Sequence, residues 1–132
     1  MKIYKIIITL FILLFLEACV TEETLFQIQG TVTDVTDDSP IAVAVIQFKL
    51  TPIELTPGAE GLPTILAEEV TDENGFYYLK HLRKGYCKVV EDHFIITAMK
   101  TGLGYVYNSE TKYNVIRCTE EIQTVDFQLR RR

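Results

Sequence analysis

The side chains able to act as nucleophiles or as soft metal ligands are few. Three cysteines (Cys19, Cys87 and Cys118), two histidines (His81 and His93) and two serines (Ser39 and Ser109) are all that 132 residues supply. The histidines stand twelve residues apart, and neither has the His-x-x-Glu or His-Glu-x-x-His spacing that would turn ligands toward one zinc ion. Neither serine lies in Gly-x-Ser-x-Gly, and no glycine-rich loop could cradle a phosphate. Catalysis needs a nucleophile paired with a base, and no such pair can be read here, so the chain reads as a non-enzyme with no cofactor and no metal. The acidic turns Asp34-Asp37-Asp38 and Asp72-Glu73-Asn74 could offer clustered oxygens to Ca²⁺, but solvated turns have the same composition. Tyr105, Tyr107 and Tyr113 gather around one turn and are the candidate ligand contacts. Such rings stack on sugars or anchor a protein partner when exposed, and pair across strands when they only support a sheet.

Composition narrows the class. Hydrophobic residues make up 48% and charged residues 23%, which suits one folded domain and argues against disorder. The formal net charge is −5, with no basic stripe, so nucleic acid is not an expected partner. Tryptophan is absent.

The N-terminus carries an address. Lys2 and Lys5 precede the apolar run Ile6 to Leu16, which as a helix would span about 16 Å, roughly half a bilayer's hydrocarbon core. That is too short to span and the right length for a signal core. The run closes on Leu16-Glu17-Ala18-Cys19, which resembles the lipobox of bacterial lipoproteins, with Glu17 standing where that pattern usually has a small or uncharged residue. The resemblance implies cleavage between Ala18 and Cys19 and a lipid on the Cys19 sulfur. Removing Lys2, Lys5 and Glu17 would leave 11 basic against 17 acidic residues, a net −6. Thr21-Glu22-Glu23 looks like the short acidic export signal of certain surface lipoproteins, or is simply a solvated tether. The expectation is a protein anchored by acyl chains to the cell envelope, most naturally the outer membrane, and not spanning it.

An exported chain meets an oxidising compartment, where Cys87 and Cys118 can pair. A bridge around the loop of about 30 residues between them would contribute about 3.5 kcal/mol in the chain-entropy model. The alternative is two buried thiols acting as small hydrophobes.

From Phe26 onward the pattern is of short strands between turns. Phe26, Ile28 and Val32 share a face of the first run, Ala44, Ile46 and Phe48 a face of Ile41 to Leu50, and Val125, Phe127 and Leu129 a face of Gln123 to Leu129. Ile65 to Thr71, Phe76 to Leu79 and Phe94 to Lys100 read as further strands. Asn74-Gly75 predicts a tight hairpin between its flanks, a polar loop follows from Arg83 to Asp92, and Tyr105–Tyr107 with Lys112–Arg117 read as arms around Asn108-Ser109-Glu110. About seven strands predict an all-β, antiparallel sandwich of transthyretin-like or Ig-like type, with a small barrel as the alternative.

The motifs Gly30-x-Val32-x-Asp34, Pro40-Ile41-x-Val43-Ala44-x-Ile46, Thr71-Asp72-Glu73-Asn74-Gly75-x-Tyr77-x-Leu79 and Phe94-x-Ile96-x-Ala98-x-Lys100-x-Gly102, closing with Val125-x-Phe127-x-Leu129, resemble the carboxypeptidase regulatory-like domain. The match covers about residues 27 to 129, with Gly85 to Asp92 as an insertion. It implies a transthyretin-like sandwich that is an accessory domain and not a catalyst. The expected organisation is thus a signal peptide over residues 1–18, a lipidated tether over 19–25 and the sandwich over 26–132. Its expected role is a structural or protein-interaction module with an envelope protein as partner, or else a glycan-binding lipoprotein using Tyr105, Tyr107 and Tyr113.

Overall fold

The computed structural model describes residues 2–9, 23–52, 61–102 and 107–132. Residues 2–9 are helical and the rest of the described chain is almost entirely β. The strands are β1 (Glu23–Asp34), β2 (Val45–Leu50), β3 (Thr64–Val70), β4 (Phe76–Lys84), β5 (Phe94–Met99), β6 (Glu110–Tyr113), β7 (Ile122–Thr124) and β8 (Phe127–Leu129). A 3₁₀ segment, Cys87–His93, lies between β4 and β5.

These strands form two facing sheets. In one, β1 lies between β4 and β7, and β8 also pairs with β1; the other runs β3-β2-β5-β6. Period-2 alternation assigns the faces: Phe26, Ile28 and Val32 of β1 meet Ile46 and Phe48 of β2 and Phe94, Ile96 and Ala98 of β5 in one buried core. Phe26, Phe48 and Phe94 are the centre of that contact, with ring centroids 5.1–5.2 Å apart in tilted and edge-on geometry. Each fully buried ring contributes about 1.5–3 kcal/mol through its lost water contact.

Several sequence expectations are corrected. The seven antiparallel strands become eight among the described residues, and the pairings of β7 and β8 with β1 are parallel. The run Gln123 to Leu129 is not one strand because the chain bends at Val125 and Asp126. Val125 donates its N–H to Gln29 O at 2.8 Å and accepts the Tyr77 hydroxyl at 2.5 Å, both through its backbone. Burial pushes the Tyr77 phenol up from its ordinary value, so it stays a donor.

The Asn74-Gly75 turn forms, but it is not a hairpin. Gly75 has φ +70° and its N–H reaches Asp72 O at 3.0 Å, while Asp72 Oδ1 accepts from the N–H groups of Asn74 and Phe76. Its two flanks belong to different sheets, because β3 pairs with β2 and β4 pairs with β1. Upstream, β2 begins only at Val45: Ile41 to Ala44 are turned, with Val43 at φ +57°, and Thr71 fastens this turn through Oγ1, which accepts from Ala44 N and donates to Ile41 O.

Of the arms expected around Asn108-Ser109-Glu110, Tyr105 and Val106 lie outside the described residues, and the described parts have other partners. β6 ends at Tyr113 and lies on β5, whereas Tyr107 bridges to Arg131. Likewise β4 continues to Lys84, through the Arg83 expected in a loop, and β1 starts at Glu23, so residues 23–25 are strand.

Gly30 is where β1 passes the Val125 bend. A Cβ there would collide with the Val125 carbonyl oxygen. Gly30→Ala is therefore expected to cost about 1–3 kcal/mol or more by overpacking, read as a lower urea midpoint. Gly102→Ala, where no described atom lies within 4 Å of the added Cβ, should leave the midpoint unchanged.

Candidate functional site

Polar side chains converge at the two ends of the sandwich. At the end where β1 finishes, the Asp34 carboxylate is fully buried and bonded on every side. Its Oδ1 accepts from Thr36 N at 2.8 Å, and its Oδ2 accepts from the Tyr107 hydroxyl at 3.0 Å and from Arg131 Nε at 2.8 Å. The Arg131 guanidinium also lies over the Tyr107 ring, 5.9 Å from its centroid. Asn108 N donates to Arg130 O at 2.8 Å, so the C-terminal residues are tied along the Tyr107 segment.

These contacts set the charge state. The Thr36 N–H, then the Tyr107 hydroxyl and Arg131, hold the Asp34 carboxyl below its ordinary value of 3.8 against the opposing effect of burial. Above this group a cleft of about 390 Å³ opens between Pro40, Ile41, Lys100, Tyr107 and Arg131. Lys100 Nζ donates to Ala42 O at 2.8 Å. Ser39 lines the same cleft, but its hydroxyl donates to Asp37 Oδ1 at 2.6 Å and holds that carboxyl low as well. A carboxylate with a depressed pKa is a weak base, and no histidine lines the cleft, so this pair lacks what would activate a serine.

At the opposite end, Cys87 and Cys118 form a disulfide with Cα atoms 5.8 Å apart. Cys118 Sγ lies 3.8 Å from Thr24 Oγ1, and Lys84 Nζ lies 3.4 Å from Glu23. The disulfide thus ties the 3₁₀ segment to Cys118, which sits beside Thr24 of β1, while Lys84 at the end of β4 pairs with Glu23 at the start of β1.

Of the residues singled out from sequence, Ala18, Cys19 and Tyr105 lie outside the described residues. Tyr107 and Tyr113 are separated: Tyr107 is committed to Asp34, while Tyr113 is exposed at the far end of β6, opposite Ile95. His81 packs edge-on against Phe48 at 6.1 Å, and burial, then Arg83, pulls its pKa down. His93 Nδ1 lies 3.3 Å from Thr51 Oγ1. In the acidic turns Asp37, Asp38 and Asp72 accept from backbone and side-chain donors, and no metal-ligating group of three or more side chains forms among the described residues. Sequence reasoning missed the Asp34–Tyr107–Arg131 cluster. The available signal was Arg131 two residues after Leu129, continuing the inward alternation of Val125, Phe127 and Leu129.

No family model matches this chain and no curated relative matches it. Solved structures that share the sandwich include the TIE protein of Bacillus anthracis, at TM-score 0.52 and 21% identity over 82% of this chain, and a 9R-lipoxygenase from Cyanothece PCC8801, at TM-score 0.50 and 11% identity over 79%. This chain spans 17% and 16% of their respective lengths, and identities this low speak to the β-sandwich fold alone.

The ionised Asp34 stabilises the fold above pH 3.8, and this stabilisation should be lost as pH falls through its lowered folded value. Asp34→Asn is expected to unfold at lower temperature than the wild type at neutral pH. The difference should narrow as pH falls from 3.8 through the lowered folded value, below which the wild-type carboxyl is neutral too. A gap independent of pH would contradict the ion-paired assignment.

Proposed function

We propose that this protein is a lipid-anchored module of the cell envelope, carried at the outer membrane by acyl chains on Cys19, with a non-catalytic sandwich that serves as a structural or protein-interaction element. The observation that carries the reading is the Cys87–Cys118 disulfide. Such bonds persist in oxidising compartments and are rare where glutathione and thioredoxin keep thiols reduced. An exported destination agrees with the signal read in Lys2, Lys5, the apolar run to Leu16 and the Ala18-Cys19 pair.

The body of the domain supports a non-catalytic role. Asp34, Asp37, Ser39, Tyr77 and Tyr107, which could have served chemistry, are each engaged in holding a turn or a strand end. The resemblance to the carboxypeptidase regulatory-like domain points the same way, since that domain is an accessory to other modules. An envelope protein is the natural partner of such a module. No helix among the described residues is long and apolar enough to cross a membrane.

The non-reduced intact mass of the protein from its native membrane fraction tests this. The expected mass is that of residues 19–132 plus acyl groups, less two hydrogens. A mass that retains Met1, or lacks acyl groups, would refute the anchor.

A further inference from the structure

Exposed apolar side chains are not spread evenly over the sandwich. Leu62, Tyr86, Val89 and Tyr113 are 91%, 74%, 73% and 65% exposed. All four lie at the end where β1 begins: Leu62 precedes Thr64, which pairs with Leu50, and Leu50 in turn pairs with Phe94; Tyr113 pairs with Ile95; Tyr86 and Val89 flank Cys87. At the other end, Val43 alone among the described large apolar residues is more than half exposed. The charge around this apex is mixed: Lys84 pairs with Glu23 at 3.4 Å, Glu91 lies 3.5 Å from Arg117, and Lys88 and Asp92 are both exposed on the 3₁₀ segment.

This end is the one that a lipid on Cys19 would hold near the bilayer. From Cys19 to Glu23 the chain can reach at most about 14 Å even when fully extended. The Asp34 end of β1 lies about 37 Å further on at the rise of a strand. Given the lipid anchor proposed for Cys19, on which this role depends, we infer that the 3₁₀ segment Cys87–His93, with Tyr86, Lys88 and Val89 at its apex, is a foot that rests in the headgroup layer of the membrane carrying the anchor.

The chemistry suits a lipid surface. Tyrosine sits stably where its ring meets acyl chains and its hydroxyl meets water. Lys88, exposed beside it, offers a charge to anionic headgroups. The disulfide to Cys118, itself beside Thr24, keeps this apex at the start of β1, and Val90, buried behind it, prevents Val89 from folding inward.

The chain has no tryptophan, so a single introduced indole reports one place. Lipidated Tyr86→Trp, Val89→Trp and Val43→Trp proteins are each placed in vesicles of phosphatidylethanolamine and phosphatidylglycerol, with and without brominated acyl chains. The indoles at 86 and 89 should emit at shorter wavelength and lose intensity to bromine, while the one at 43 should do neither. Unquenched indoles at 86 and 89, in protein whose mass carries the acyl chains, would overturn the foot and leave the anchor standing. Quenching at 43 equal to that at 86 would overturn it too, because the domain would then lie on its side. Protein whose mass lacks acyl groups would overturn both.

Discussion

The close passage of β1 against the Val125 backbone is the contact on which the rest of the sandwich depends. Only glycine at position 30 lets the two chains approach so nearly, and two hydrogen bonds then clamp Val125 from β1 and from Tyr77. The bend splits the last stretch of chain into β7 and β8, both parallel to β1. β1 therefore pairs with β4 along one side and with β7 and then β8 along the other, and reaches from one end of the domain to the other. The aromatic cluster of Phe26, Phe48 and Phe94 forms because β1 presents Phe26 to the opposite sheet at the right height.

The two ends of β1 are secured by different physics. Near Glu23 lies the Cys87–Cys118 disulfide, whose Cys118 sits beside Thr24; it is insensitive to acid but requires an oxidising environment. Near Asp34 the fastening is an ion pair with added hydrogen bonds, insensitive to redox state but dependent on an ionised carboxylate. The cleft lies at the Asp34 end of β1, opposite the disulfide.

Local features were legible in the sequence, and non-local ones were not. Alternation identified the inward faces of β1, β2 and β8 because side chains in a strand reverse at every residue. The Asp72-to-Gly75 turn was legible because its bonds lie within five residues, yet nothing local says which sheet each flank joins. The break at Val125 was hidden for the same reason: Val125 fits the alternation, and its partners Gln29 and Tyr77 are distant in the chain. Asp34 read as a solvated turn residue because its partner Arg131 stands 97 positions away. The disulfide was within reach because only two cysteines remain once Cys19 is given to lipid, whereas the turned backbone of Cys87–His93 leaves no clear periodicity. The tyrosines looked like one cluster in sequence. The pairing of β6 with β5 sends Tyr113 to the opposite end from Tyr107.

Native-state hydrogen exchange followed by mass spectrometry tests the central role of β1 most directly. Amides of β1 from Gln27 to Val32, flanked by strands on both sides, should exchange only with global unfolding, while those of the edge strand β3 and of Cys87–His93 should exchange through smaller openings. Exchange in β1 as fast as in β3 would contradict a sandwich assembled around β1.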